Sequence, residues 1–506
     1  MKRGWPKHPL IYEINTWVWL ADLRAVHGQD LNLGNLPSQV LDDLAAWNID
    51  IVWLMGVWER SPRSRELGQQ HPDLQGEFKR ALPTYTPERV AGSPYAVHRY
   101  EVDTRLGGRD GLAAFRATLK QRGIDLILDF VPNHTAVDHP LTIEAPECFI
   151  RGTRADLTAA PGSYFAVPEA NAGAGAVIAY GRDPNFPAWT DTAQLNAFSP
   201  QMRAWTVRTL QEIASQCDGV RCDMAMLMVN RIFARTWEQA PESIPGTEFW
   251  SAVIPPVKAQ APDFLFIAEV YWDMEAELHG LGFDFCYDKR LYDRLRRQEP
   301  ASVRDHLLAE MAYQERLVRF IENHDEPRAV SAFGIEKAKA SAVLSATLPG
   351  ATLFHEGQFE GRQTRVPVQL DARPGEPPID ELTRFYRLLT AELRHPAYHD
   401  GTYMALAVNP IVGQDGGIHQ IVAFAWALGS DINDWRIVII NLSDQVVRGR
   451  VMIPNPALGR SSRWQVRDAL NPELAVSYSG EQLLVGGLPV ELGPFQSHIF
   501  QMANRR

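Results

Sequence analysis

The chain has 506 residues, of which 45% are hydrophobic, and its formal net charge at pH 7 is −11. This length is sufficient for a large core and for more than one domain. The acidic balance argues against nucleic acid or an anionic membrane as a partner, because both favour a basic patch, whereas a neutral ligand such as a sugar is compatible with it.

The N-terminal segment and the cysteines bear on the cellular compartment. No apolar run of the kind found in signal peptides follows the first residues, and no run reaches the roughly 18 apolar residues of a membrane span. The four cysteines lack metal-type spacing. They are Cys148, Cys217, Cys222 and Cys286. We therefore expect a cytoplasmic protein with free, buried thiols.

Strand and helix patterns alternate through the first 400 residues, which is typical of a parallel sheet. The eight strand candidates lie within residues 11–19, 50–56, 124–134, 217–223, 264–272, 282–287, 317–325 and 351–357. The clearest helices are predicted at residues 200–215, 288–312 and 380–394, with further helical segments within residues 231–260. Eight strands alternating with helices predict an α/β fold, the (β/α)8 TIM barrel.

Two segments depart from this alternation. After the third strand, about 60 residues up to Asn196 show no clear period, and a loop of that length inside a compact domain is expected only as a functional insertion. From Gly401 onwards, short β-rich runs alternate with turn residues, a pattern typical of an antiparallel β-sandwich. The predicted domains are residues 1–137 and 197–400 (the barrel), 138–196 (the insertion) and 401–506 (the C-terminal sandwich).

Four strand candidates end in polar residues, at the strand face where parallel barrels build their active sites. The residues concerned are His134, Arg221 with Asp223, Glu269, and His324 with Asp325. The period of two in a strand places Arg221 and Asp223 on one face, where the arginine favours the ionised carboxylate and lowers its pKa. Taken alone, such a pair is more often a structural ion pair than a functional one.

In this order, the four segments resemble the four signature regions of the α-amylase superfamily, glycoside hydrolase family 13, whose retaining catalysis runs on a (β/α)8 barrel. The resemblance implies that Asp223 is the nucleophile, Glu269 the general acid/base, and Asp325 the third carboxylate that holds and distorts the sugar. It also implies substrate-binding roles for a set of companion positions. These are His134, Arg221 and His324.

The resemblance extends to the connections between strands. Tyr95, in the long connection after the second strand, matches a tyrosine that stacks on the sugar in this family, although core packing explains it equally well. The insertion matches a small extra domain that forms one wall of the substrate cleft. Within it, Trp189 and Asp191 either contact the sugar or close the insertion onto the barrel.

The proposed chemistry requires two carboxyl groups in different protonation states. One must be protonated to assist the leaving oxygen, and the other must be ionised to attack the anomeric carbon. Glu269 ends an apolar strand and is followed by Tyr271 and Trp272, so burial and neighbouring carboxylates should raise its pKa. We therefore assign the acid/base role to Glu269 and the ionised role to Asp223.

The sequence also departs from the family pattern. Many α-amylases have a Lys-His pair three and four positions after the nucleophile, where this chain has Met226 and Leu227. Endo-acting amylase specificity and the usual calcium site are therefore in doubt. Asn133 matches one calcium ligand, but Ca²⁺ takes about six to eight oxygen ligands. We predict no obligatory metal and no cofactor.

These features favour a retaining hydrolase acting on α-linked glucose oligosaccharides or polysaccharides. Transfer to a sugar acceptor at the same site is the alternative, as is a sugar-binding relative that has lost catalysis. A barrel acting on phosphorylated ligands would need a glycine-rich phosphate loop near the last strands, and Leu348-Pro349-Gly350 does not supply one. Linkage, substrate length and oligomeric state are left open by the sequence.

Overall fold

The computed structural model describes residues 5–167, 175–238, 243–411, 417–455, 458–459 and 463–504. Eight parallel strands form a closed barrel in which each strand pairs with its neighbours in chain order and β8 pairs with β1. The strands are β1 (Leu10–Asn15), β2 (Ile51–Met55), β3 (Asp125–Phe130), β4 (Gly219–Cys222), β5 (Leu265–Ala268), β6 (Phe285–Tyr287), β7 (Leu317–Arg319) and β8 (Ala351–His355). The predicted barrel is confirmed.

Helices surround the barrel strands, which are almost entirely buried, as expected for a parallel sheet covered on its outer face. The main helices are Thr16–His27, Ser38–Ala45, Gly108–Gln121, Pro200–Ala214, Asn230–Thr236, Phe249–Gln260, Glu275–Gly280, Lys289–Arg297, Pro300–His306, Met311–Gln314, Ala329–Phe333, Ile335–Thr347, Asp380–Glu392 and Ala397–Asp400. Within the described ranges, no helix combines the length and the apolar content needed to cross a membrane.

Two predicted element boundaries were wrong. The first strand ends at Asn15, because the Asn15 side chain accepts a hydrogen bond from Val18 N and caps the helix Thr16–His27. The aromatic residues at the start of this helix led to its prediction as strand. The single helix predicted at residues 288–312 is broken after Arg297. Gln298 has a left-handed backbone (φ 59°), and Pro300 begins a new helix at a position where proline is favoured.

The connection between β2 and β3 contains more structure than the sequence predicts. Two helices, Pro62–Gln70 and Pro72–Ala81, lie between the paired strands Trp58–Arg60 and Val97–Val102. They have a small core of their own. It consists of Phe78, Leu82, Val90 and Leu370. Because Leu370 belongs to the segment after β8, this core joins two of the connections above the barrel.

The insertion after β3 is also ordered where the structure describes it. Its strands are His134–Ala136, Arg151–Gly152, Tyr164–Ala166, Val177–Gly181 and Trp189–Gln194, and two short helices accompany them, Leu141–Glu144 and Arg154–Ala159. Gln194 pairs with His134 across the antiparallel ladder. The residues that directly follow β3 are therefore part of the same sheet as the insertion.

The C-terminal segment forms two antiparallel sheets with a common hydrophobic core. The larger sheet contains Thr402–Ala405, Ile421–Ala427, Trp435–Asn441, Trp464–Asp468, Ala475–Tyr478 and Ser497–Asn504, and the smaller one Val408–Asn409, Val447–Val451 and Leu488–Leu492. The segment contacts the barrel helices through polar pairs such as Arg436 with Glu392 (2.6 Å). The predicted antiparallel C-terminal architecture is confirmed.

Candidate active site

One buried arginine connects the carboxylates at the ends of three adjacent strands. Arg221 Nη1 lies 2.8 Å from Asp223 Oδ1 and 3.4 Å from Asp129 Oδ1, and its Nη2 lies 2.8 Å from Glu269 Oε2. The Arg221 side chain is only 1% exposed. Its position beside Asp223 agrees with the period of two predicted for this strand. The arrangement holds three carboxyl groups around one fixed cation.

Asp223 experiences two opposing influences. Burial raises the pKa of Asp223, and the charge and hydrogen bond of Arg221 lower it. The net direction is upward, so the lowered pKa expected from the sequence was wrong. The sequence reveals the neighbouring charge but not the depth of burial, and here burial has the larger effect.

Glu269, at the end of β5, is held by two hydrogen bonds and an ion pair. The Tyr271 hydroxyl donates to its Oε1 and Met224 N to its Oε2, both at 2.7 Å. Burial raises the pKa of Glu269 to about 7, with Asp223 adding to the rise and Arg221 opposing it. This is the direction that the sequence predicts. Near neutral pH Glu269 can therefore both give and accept a proton, as an acid/base must.

The backbone that follows both carboxyl groups is strained. Met224, directly after Asp223, has φ 42°, and Trp272 and Asp273, shortly after Glu269, have φ 62° and 61°. Such values are uncommon for residues other than glycine and cluster at functional sites. The strained turn brings Met224 N to Glu269, and Trp272 is 40% exposed.

A second group of residues assembles around His324, above β7. His324 Nε2 lies 2.6 Å from the Tyr95 hydroxyl oxygen and 3.1 Å from Asp325 Oδ2, and its Nδ1 lies 2.5 Å from Glu13 Oε1. The Asp325 side chain is 46% exposed, whereas Glu13 is fully buried. Asp325 is thus the member of the group that is open to a ligand.

The charges of His324 and Asp325 stabilise each other. Burial alone would lower the pKa of His324, but Asp325 and Glu13 raise it well above its usual value. Burial would likewise raise the pKa of Asp325, but the charge and hydrogen bond of His324 lower it below its usual range. An imidazolium next to an ionised carboxylate is the resulting state, and the exposed carboxylate can accept hydrogen bonds from sugar hydroxyl groups.

His134 and the aromatic residues define the side of the cleft next to the insertion. The His134 ring lies 5.2 Å from the Trp189 ring, and burial lowers the pKa of His134 to about 4, so that it is neutral. The Tyr95 ring stacks on His324 at 5.4 Å. Asp191 accepts a hydrogen bond from Ser64 Oγ (2.7 Å) and joins the insertion to the β2–β3 connection.

The residues around Asn133 do not fit a calcium ion. Asn133 Oδ1 accepts a hydrogen bond from Gln194 Nε2 (3.0 Å), and Gln194 Oε1 accepts from Asn133 Nδ2 and from Arg182 N. These amides are neutral and satisfy each other, whereas Ca²⁺ favours several charged oxygen ligands. In the part of the chain that the structure describes, no three His, Cys, Asp or Glu side chains group as metal ligands.

Met226 and Leu227, at the positions where many α-amylases have a lysine and a histidine, lie in a short turn after β4. They are 0% and 2% exposed, respectively, and pack in the main hydrophobic core. They therefore do not line the cleft, and this part of the site makes no polar contact of the kind that a Lys-His pair would supply.

Some of the groups that hold the carboxylates in place were not predicted from the sequence. Glu13 is a lone carboxylate in the otherwise apolar stretch Leu10–Ile14, which is a recognisable signal for a buried functional group. Asp129, in β3, was not among the predicted site residues, but it contacts Arg221. The bond from Met224 N was not predictable, because it depends on a left-handed backbone conformation.

The chain is similar to known proteins of α-amylase type. No family profile matches the sequence. The α-amylase MalA of Haloarcula japonica is 26% identical over 361 residues, which are 68% of this chain and 47% of that protein. The chain thus spans about half the length of this curated relative. The resemblance to the α-amylase superfamily is confirmed.

Solved structures of α-amylase type share the fold over nearly the whole chain. The maltogenic α-amylase AmyB from Thermotoga neapolitana has a TM-score of 0.66 at 16% identity and covers 99% of both chains. The α-amylase of Geobacillus thermoleovorans, complexed with acarbose, has a TM-score of 0.66 at 16% identity over both full chains. A debranching enzyme from Nostoc punctiforme has a TM-score of 0.64 at 17% identity. At such low identities, these α-amylase structures establish the fold alone.

Proposed function

We propose that this protein is a retaining glycoside hydrolase that acts on α-glucosidic bonds through a covalent glycosyl-aspartate. Asp223 attacks the anomeric carbon while Glu269 protonates the leaving oxygen. Glu269, now ionised, then takes a proton from the acceptor, which attacks the anomeric carbon and releases Asp223. The two inversions restore the α configuration.

The observation that supports the proposal best is the bridge that Arg221 makes between Asp223 and Glu269. These residues follow neighbouring strands, which are about 4.8 Å apart in a sheet, and one guanidinium contacts both carboxyl groups at 2.8 Å. Retaining enzymes place their two carboxyl groups about 5–5.5 Å apart, whereas inverting enzymes leave room for a water molecule between them. The short bridge favours the retaining geometry.

The group around His324 supplies sugar binding in this proposal. Asp325 accepts hydrogen bonds from sugar hydroxyl groups, and Tyr95, held by His324, offers its ring to the sugar face. His134 is neutral and can donate one hydrogen bond to a hydroxyl group. Bonds of this kind strengthen as positive charge develops on the ring in the transition state.

Transfer to a sugar acceptor is the second candidate. Trp272, which is 40% exposed and lies three residues after Glu269, offers an aromatic face on which an acceptor sugar can pack. The third alternative, a sugar-binding protein without catalysis, conflicts with the presence of all three carboxylates together with Arg221. The cytoplasmic location stays a prediction, and the four buried free cysteines support it.

The test is a product analysis with maltose, maltotriose, longer maltooligosaccharides, isomaltose, trehalose, sucrose and starch. Glucose or short sugars would establish hydrolysis, and longer or rearranged products would establish transfer. The matched control is Asp223→Asn purified in the same way, which detects contaminating host amylases. If wild type converts none of these α-glucosides, the enzymatic proposal fails and the binding protein becomes the better explanation.

We further propose that activity needs no calcium, and we expect EDTA to leave both the Tm and kcat of the wild type unchanged. The reason is that Asn133 and Gln194 already satisfy each other as a neutral amide pair. The measurement is thermal unfolding and turnover before and after chelation, with a calcium-dependent α-amylase as the positive control. A fall in Tm that added Ca²⁺ reverses would contradict the proposal.

A further inference from the structure

Glu13 is the one carboxylate of strand β1, and its position is unusual. Its side chain is completely buried, and its Oε1 lies 2.5 Å from His324 Nδ1. Its second oxygen, Oε2, has no hydrogen-bond partner among the described residues. Burying an ionised carboxylate is costly unless a charge compensates for it. A neutral His324 would leave Glu13 without that compensation.

We propose that Glu13 is a positioning residue of this site. Its carboxylate holds His324 as an imidazolium, with Nε2 directed at Asp325 and Tyr95. His324 is thereby fixed at both nitrogens, since Glu13 bonds Nδ1 and the two cleft residues share Nε2. Glu13 therefore acts on the sugar through His324 and Asp325 without touching it, and the proposal rests on the function proposed above.

The surroundings of His324 show why Glu13 has this effect. The charged and titratable groups around the ring are Glu13 on β1, Asp129 on β3, Arg221 on β4, Tyr95 in the β2–β3 connection and Asp325 in its own loop. The positive charge of Arg221 disfavours a second cation nearby, and Asp129 already pairs with Arg221. Asp325 is solvent-exposed, so its charge is screened more than that of Glu13. Glu13 is the buried anion that compensates for the His324 charge.

The test is Glu13→Gln, which keeps the shape and removes the charge. Selective ¹⁵N-histidine NMR reports the protonation of both ring nitrogens, and His324→Asn identifies the resonances. We expect wild-type His324 to be doubly protonated at pH 8, and we expect Glu13→Gln to lose the second ring proton at a pH about 1–3 units lower than wild type, because losing an adjacent opposite charge lowers a pKa by about 1–3. Glu13→Asp, which retains the charge, should keep the imidazolium.

A second readout is kinetic. The ratio of kcat/KM for Glu13→Gln to that of wild type should fall as the pH rises through the lowered pKa of His324 in the variant, by up to about tenfold for each unit by which that pKa is lowered. Taking the ratio cancels the titration that Glu269 causes in both proteins.

The control is Asp468→Asn, which removes the charge of another buried carboxylate paired with a histidine. Asp468 lies 2.8 Å from His498 in the C-terminal sheets. The Asp468→Asn substitution should change neither the His324 resonances nor the kinetic ratio. If Glu13→Gln folds and its His324 loses the second ring proton at the same pH as in wild type, the inference is overturned. Because the NMR measurement needs no turnover, that result differs from a failure of the proposed function, in which wild type is inactive.

Discussion

Replacing Asp223 by Asn should lower kcat/KM on α-glucosides by about 10⁴-fold or more, the scale on which hydrolases lose activity without their nucleophile. The amide has nearly the shape of the carboxylate but cannot form the glycosyl ester. Arg221 would still pair with Glu269 and Asp129, so the site should keep its architecture. The measurement is steady-state kinetics with circular dichroism as the check on folding.

Azide adds a stereochemical test of the same role. In Asp223→Gly a small nucleophile can occupy the vacated space and attack the face opposite the α-glucosidic bond, so the product should be the β-glucosyl azide. Wild type should also form an adduct at Asp223 with a fluorinated α-glucosyl donor. An adduct on another residue would contradict the assignment.

The control for Asp223 is Asp129→Asn, which removes a different carboxylate from the same arginine. Asp129 is 2% exposed and accepts a hydrogen bond from Gly56 N, so its role is to support the strands at the site. We expect a much smaller loss, up to about 10²-fold through misplacement of Arg221. Azide should not rescue this variant, since the nucleophile is still present.

Replacing Glu269 by Gln should lower kcat/KM by about 10²–10⁴-fold on natural oligosaccharides, the usual contribution of general acid–base catalysis. The loss should be much smaller with an aryl glucoside, because a good leaving group departs without protonation. With that donor the glycosyl-enzyme should accumulate as a burst, since no base activates water. Azide, which needs no base, should accelerate turnover and give the α-glucosyl azide.

The pH profile provides an independent check on Glu269. A carboxyl group with a raised pKa is protonated below that pKa, so the acid form of Glu269 is present below about pH 7 and is lost as the pH rises through that value. Wild-type kcat/KM should therefore fall above pH 7. This fall in kcat/KM above pH 7 should be absent from Glu269→Gln. It should remain in Glu275→Gln, which changes another buried glutamate after β5. If kcat/KM of Glu269→Gln still fell above pH 7 as it does in wild type, the role of Glu269 as the acid would be refuted.

The barrel and the strand ends were predictable because their signals are local. Apolar runs followed by a polar residue mark the ends of parallel strands, and the period of two correctly placed Arg221 beside Asp223. The helical connection after β2 was not predictable, since its small core includes Leu370 from the far end of the barrel. Local patterns do not report contacts between residues that distant in sequence.

The sequence by itself determined the fold class and indicated the polar residues at four of the strand ends. Only the tertiary structure decided their ionisation, because a pKa depends on burial and on charges contributed by other strands. Burial reversed the expected shift at Asp223. The pKa of His324 is raised by Asp325 in its own loop and by Glu13, which is 311 residues away in sequence. The sequence contains these groups, and the closure of β1 against β8 brings them together.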